Sequence, residues 1–311
     1  MIEFVNAKIN IGLNVTGRRP DGYHLLETCF YPVGKHNGTP RNPEPFCDVM
    51  ELTMTSPGNP AIAGINEIEG IGYFFSGNTI DCPPEKNLVV RAGSLFAREY
   101  RQLEGCPLSQ DGKIPVIRLE KHIPDGAGLG GGSADATFTL RLLNDRFGRP
   151  FSDIRLERMA VGLGADCPVF VRNIPVFAEG IGEIFSPVTS HAVTELGNGT
   201  YWLALVKPDL HISTREAFAG LTPAPPAIPL REALKQPVEA WRGTVTNDFE
   251  TSLFPLYPEL GRLKEALYAH GALYASMTGS GAALYGIFTS CRKASGALEC
   301  ISAPYSTIIL L

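Results

Sequence analysis

The stretch Pro124-Asp125-Gly126-Ala127-Gly128-Leu129-Gly130-Gly131-Gly132-Ser133-Ala134 holds five glycines and runs straight into a segment, Ser133 to Phe147, that reads as a helix. Glycine has no Cβ, so successive backbone N–H groups can converge on an anion. A helix N-terminus adds about half an elementary positive charge. Together they make a cradle for a phosphate chain, and a flexible surface turn is the weaker reading.

The same loop also fits a different pattern. Gly126, Gly128 and Gly131 satisfy GxGxxG, and Asp145 lies near the distance expected of a ribose-binding acid. The surroundings disagree. Lys121-His122-Ile123-Pro124 precedes the loop in place of an apolar strand running into its turn, and Asp145 falls at a helix end. No lysine follows the last glycine, so the loop is not a Walker A motif either. An NAD-linked oxidoreductase is therefore the weaker alternative.

Working outward, Val5, Ala7, Ile9, Ile11, Leu13 and Val15 alternate with Asn6, Lys8, Asn10 and Asn14. A period of two predicts a half-buried strand with Lys8 on its polar face. Tyr23–Val33, Val49–Thr55 and Ile114–Glu120 read as further strands, and Asn87–Tyr100 as a helix. In Ser152–Leu163, Leu156, Met159, Ala160 and Leu163 keep the spacing of one buried helical face. Val169–Ala178 and Tyr201–Lys207 are expected strands.

The four prolines between Leu221 and Leu230 mark a connection, and Gly271 stops a helix over Pro258–His270. Leu273–Met277 and Ala282–Phe288 are strands joined by Thr278-Gly279-Ser280-Gly281, and Ser306–Leu311 closes the chain as a strand. Residues 34–46 read as an exposed loop. Residues 56–84 are poor in periodicity, with one short strand near Ile71–Phe75. Strands and helices mix without regular βαβ alternation, which predicts an α+β fold.

The 311 residues fit two domains, and 44% hydrophobic with 19% charged residues is ample for a core. A net charge of −5 gives no general attraction to nucleic acid. Seven cysteines without a CxxC pair, and six histidines without HExxH, argue against disulfide frameworks and zinc sites. Glu3, Asn6 and Lys8 interrupt the N-terminus, which excludes a signal peptide. No apolar run nears the roughly 18 residues that span a bilayer. A cytoplasmic protein with neither nucleic-acid nor membrane partners is expected, and its oligomeric state is left open.

A phosphoryl-transfer enzyme needs a group to take the acceptor's proton and a cation near the transferring phosphoryl. Lys8 and Asp166 are the candidates, the latter in Gly164-Ala165-Asp166-Cys167-Pro168, where a helix ends. The competing readings are a solvent-facing strand lysine and a turn or cap aspartate. Spacing alone does not bring the two together.

The Pro124–Ala134 loop and the Met277–Ala282 turn together resemble the GHMP kinases. This resemblance implies two domains, a ribosomal-S5-like one over 1–183 and a ferredoxin-like one over 184–311. Ala7-Lys8-Ile9-Asn10, Thr16–His24, Gly162–Phe170, Phe177-Ala178-Glu179-Gly180 and Asn247-Asp248-Phe249-Glu250 narrow it. They are similar to the branch whose acceptor is a cytidine-diphosphate-linked methylerythritol. The homoserine and mevalonate branches are the alternatives, and the Pro20–His24 run speaks against them.

The resemblance implies that ATP, accompanied by Mg2+, gives its γ-phosphoryl to the acceptor's 2-hydroxyl. Asp166 would accept the proton and Lys8 would offset charge. Lys121 and the backbone of Pro124, Asp125, Gly126, Ala127, Gly128, Leu129, Gly130, Gly131, Gly132, Ser133 and Ala134 would hold ATP. Asn10 would help place the acceptor. Tyr23 and Phe218 would stack on the cytosine, His24 would read its polar edge, and Phe30, Ile181 and Thr214 would line the pocket. No residue identifies itself as a metal ligand. Two departures stand out: Ala127 replaces a usual glycine, and Ala134-Asp135 replaces a usual Ser-Asn. Asp135 is expected to point away from the phosphates along its helix.

Overall fold

The alternation over Val5 to Val15 becomes one long strand, β1 (Ile2–Arg18). A computed structural model describes residues 1–34, 46–56, 66–78 and 82–311. Residues 35–45 of the expected loop, and 57–65 and 79–81 of the aperiodic stretch, lie outside the described residues.

After β1 come β2 (His24–Val33), β3 (Cys47–Thr55), β4 (Asn66–Ile68), β5 (Ile71–Gly77), α1 (Leu88–Glu104), β6 (Ile114–Lys121), α2 (Gly131–Arg146) and α3 (Asp153–Val161). They are followed by α4 (Val169–Arg172), β7 (Val176–Glu179), β8 (Ile184–Pro187), α5 (His191–Leu196), β9 (Trp202–Lys207), α6 (Thr214–Ala219) and α7 (Leu230–Ala233). The chain closes with α8 (Phe249–Leu256), α9 (Pro258–Ala269), β10 (Tyr274–Met277), β11 (Leu284–Phe288), α10 (Cys291–Cys300) and β12 (Tyr305–Leu310).

By contact the chain divides into two compact units that interleave along the sequence. The first holds Met1–Ala7, Cys47–Asp125 and Gly130–Ile174, and the second holds Lys8–Phe46, Gly126–Leu129 and Pro175–Leu311.

In the first unit the start of β1 pairs antiparallel with β3, β3 with β6, and β6 runs parallel to β5. Helices α1 and α2 pack on each other, α1 against β5 and α2 against β3. The Asn87 side chain accepts the Val89 N–H and starts α1, and Gly105 ends it at φ +71°. The Ser152 side chain caps α3, whose Leu156, Met159 and Ala160 are buried as their spacing demands.

In the second unit β2 and β7 pair antiparallel, and β7 pairs with β8. A separate antiparallel sheet runs β10-β11-β9-β12 and carries α9 and α10. Leu13, Val15, Val206, Phe249, Leu260, Leu267, Met277 and Phe288 share its core.

Two expectations need correction. The strand β1 is not half-buried: Asn6, Lys8, Asn10 and Asn14 are each 1–2% exposed, like the apolar residues between them. Protein covers both faces, so the polar residues pair with one another instead of with water. Asn6 trades side-chain hydrogen bonds with Asn173, and the Asn14 amide donates to Thr246 and Asp248. Second, Val169–Ala178 is not one strand. Val169–Arg172 is a helical turn closed by Asn173 at φ +54°, and only Val176–Glu179 is extended. An apolar run this short carries no period to separate the two.

Candidate functional site

Alternate glycines of the loop, Gly126, Gly128 and Gly130, stand at φ +59°, +73° and +69°, a conformation that L side chains avoid. Gly130 is the N-cap of α2, and among the described residues no side chain caps that helix's first N–H groups. Those donors are left for an incoming anion.

In the second unit, the loop's middle lies against β1 and the turn after β10. A Cβ on Gly128 would lie 2.1 Å from the Thr278 carbonyl oxygen, so only glycine fits. The Lys8 N–H donates to the Leu129 carbonyl at 2.9 Å. Lys8 Nζ donates to the Gly128 carbonyl at 3.0 Å and to Asn10 Oδ1 at 2.7 Å, and it lies 5.3 Å from the Phe30 ring centre. The lysine is therefore 2% exposed, not on a solvent-facing strand.

Both ends of the Asn10 amide are taken, since Nδ2 donates to Thr28 Oγ1 at 2.9 Å. Asn10 thus orients Lys8. Thr278 joins the same set: its hydroxyl accepts the Asn10 N–H at 3.0 Å and lies 3.2 Å from the Gly128 carbonyl. Asn247 fixes the turn by donating to the Met277 and Gly279 carbonyls.

The first unit holds a second polar cluster. Lys121 Nζ donates to Asp48 at 2.5 Å and to Asp135 at 2.6 Å, all three buried. Asp48 also accepts the backbone N–H groups of His122 and Ile123, fixing the chain that leads to Pro124. Asp135 thus turns onto Lys121 and does not point away along α2. The Lys121 ammonium, expected to hold ATP, is instead taken up by the side chains of two aspartates. It still lies under the helix start, 3.4 Å from where a Cβ on Gly131 would stand. Beside it opens a cavity of about 200 Å³ lined by Asn87, Leu88, Leu119, Lys121, Ile123 and Gly132.

Asp166 is half-buried in a turn of the first unit. The Thr137 hydroxyl of α2 donates to the Cys167 carbonyl at 2.7 Å, which pins this segment to the helix that the glycine loop opens.

Of the expected acceptor residues, all in the second unit, His24 and Phe218 come together, their rings stacked 4.4 Å apart. Phe218 also meets Phe249 edge-on. Burial, then Arg18, holds the His24 imidazole below its ordinary pKa, so it is neutral at pH 7. Tyr23 is 61% exposed, whereas Phe30 is in the core at 3%. Thr214 is exposed at the start of α6, and the Ile181 N–H donates to Glu183.

Sequence reading missed Asp48, for which an aspartate inside an apolar strand was the available signal. It singled out the segments that hold Thr278 and Asn247 but gave neither residue a role, because their partners are assembled only by tertiary structure.

A family model of the GHMP kinases N terminal domain matches residues 87–173, and one of the GHMP kinases C terminal matches residues 230–307. The 4-diphosphocytidyl-2-C-methyl-D-erythritol kinase of Bacteroides thetaiotaomicron is 46% identical over 288 residues, covering 93% of this chain and 92% of its own. The chain belongs to the GHMP kinases, in the 4-diphosphocytidyl-2-C-methyl-D-erythritol kinase family. The Parabacteroides distasonis relative of the same name is 43% identical over 93% of this chain and 92% of its own. A crystal structure of 4-(cytidine 5'-diphospho)-2C-methyl-D-erythritol kinase superposes with a TM-score of 0.72 at 28% identity, covering all of both chains. This member is an ATP-dependent small-molecule kinase of mixed α+β fold.

Proposed function

We propose that this kinase transfers the γ-phosphoryl group of ATP to the 2-hydroxyl of 4-diphosphocytidyl-2-C-methyl-D-erythritol. One observation carries the chemistry: a buried, fully oriented lysine, Lys8, hydrogen-bonded to the backbone of the glycine loop at Gly128. Identity of 46% with a kinase named for that substrate, across nearly the whole chain, supports the acceptor.

In this reading the nucleotide's phosphates take the free N–H groups at the start of α2, and its base enters the cavity beside Leu88. Lys121 helps shape that cavity instead of acting as an unpaired cation. Lys8 offsets charge on the transferring phosphoryl. Asp166 accepts the proton of a crowded, weakly acidic tertiary alcohol. The His24–Phe218 stack and exposed Tyr23 form the cytosine platform, with the neutral imidazole reading the base edge, and Ile181 and Thr214 complete it. Phe30 contributes from beneath, by steadying Lys8.

Mg2+ would be held by the nucleotide's phosphates and would offset their charge. Among the described residues no group of three or more His, Cys, Asp or Glu could hold a metal. All seven cysteines are free, which supports a cytosolic setting. Among the described residues no helix is long and apolar enough to cross a membrane. We keep the sequential modules 1–183 and 184–311 as a proposal, supported by matched ranges that fall within each.

A coupled ADP-release assay against a small panel of alcohols tests the assignment. Turnover is expected with the cytidine-diphosphate substrate and not with mevalonate or homoserine; the opposite preference would refute it.

A further inference from the structure

Two carboxylates and one ammonium are buried together under the start of α2. Lys121 Nζ of β6 touches Asp48 of β3 at 2.5 Å and Asp135 of α2 at 2.6 Å. With both aspartates ionised the cluster would carry a net charge of −1 in a buried setting. Two carboxylates sharing one partner cannot both ionise cheaply. The demands on the two differ. Asp48 accepts three hydrogen bonds, from Lys121 Nζ and from the His122 and Ile123 N–H groups, as a carboxylate should. Asp135 accepts one through Oδ2, while its Oδ1 is buried without a hydrogen-bond partner. An unpartnered buried carboxylate oxygen is costly, and a proton there removes the charge that makes it so.

We propose that Asp135 stands in the folded kinase as an uncharged carboxylic acid, a positioning residue that keeps the Lys121 cluster electrically balanced and the α2 N-terminus receptive to nucleotide phosphates. This rests on the nucleotide reading above. The cluster lies within reach of that helix start, because a Cβ on Gly131 would approach Lys121 Nζ to 3.4 Å. Loss of the proton to solvent would leave an uncompensated negative charge where the phosphates must bind.

The electrostatics agree in direction. Burial pushes the Asp135 carboxyl up to about 8; Lys121 opposes the rise and Asp48 adds to it. Those are the charged groups that face it, and Lys86, Asp125 and Cys82 line the same cavity. Because the binding-competent form is the protonated one, nucleotide affinity is held below that value and lost above it.

The test is ATP affinity from pH 7 to pH 9 for the wild type and Asp135→Asn, whose amide has the shape of the neutral acid. Wild-type affinity should fall about tenfold over that span, and the variant's less than twofold, as expected when only the protonated fraction binds. Parallel curves, or a variant tenfold weaker at pH 7, would overturn the inference. So would a variant that fails to fold. If neither protein bound ATP at any pH, the nucleotide reading itself would fall. Independently, the wild type at pH 7 should show an infrared band of a protonated carboxyl that is missing in Asp135→Asn; equal spectra would contradict the proposal.

Discussion

Lys8 has its ammonium fixed from three sides, by Asn10 Oδ1, the Gly128 carbonyl and the Phe30 ring. In the proposed mechanism a cation so held spends no side-chain entropy when the reaction begins, which is how electrostatic stabilisation becomes preorganised. Its hydrogen bonds also show what the sequence hides. Period two identified the strand correctly but implied that its polar face meets solvent. Only the pairing of Lys8 with Asn10, and of Asn10 with Thr28 and Thr278, reveals that this face is interior. Asp166 is the second residue to which the proposed mechanism assigns chemistry. Asp166→Asn should keep ATP binding within about threefold yet lower kcat by at least two orders of magnitude, a typical general-base contribution. Near-normal turnover in that variant would remove Asp166 from its assigned role.

Among the elements, the glycine loop is set by its neighbours as much as by its own flexibility. Gly128 is at positive φ, and the Thr278 carbonyl occupies the space a side chain would need. Gly148 is also at positive φ, but nothing stands near it. The pair separates two costs. Gly148→Ala should lose only about 1 kcal/mol of stability from left-handed backbone strain. Gly128→Ala should lose at least about 2 kcal/mol and raise the ATP KM tenfold or more, because the loop must move. Thermal unfolding with steady-state kinetics on both variants checks this, and equal effects would deny the loop its packed geometry.

The loop, its helix and most strands were legible because glycine spacing, caps and hydrophobic period are local signals. The turn Val169–Arg172 was not, since its three apolar residues, Val169, Phe170 and Val171, fit a strand or a helix equally well. Asp48 was not either, because a clamp between β3 and β6 exists only once the two strands pair.

For the molecule as a whole, the division into units explains why some functional residues could not be grouped from sequence. The loop's Gly126–Leu129 belongs with Lys8 and Thr278, although Gly130 onward belongs with Asp48 and Lys121. Neighbours in sequence are thus held by different sets of distant residues, and no spacing rule reports that. Whole-chain similarity filled the gap: family matches over 87–173 and 230–307 gave the kinase class that the loop alone left ambiguous with a dinucleotide fold. The central claim is that ATP phosphorylates the methylerythritol hydroxyl and leaves the cytidine diphosphate linkage intact. The most direct measurement is phosphorus NMR of the purified protein with ATP, magnesium and 4-diphosphocytidyl-2-C-methyl-D-erythritol. The prediction is a new phosphomonoester signal growing in step with ADP while the diphosphate signals of the acceptor persist. ADP appearing at the same rate without the acceptor, or no phosphomonoester at all, would contradict it.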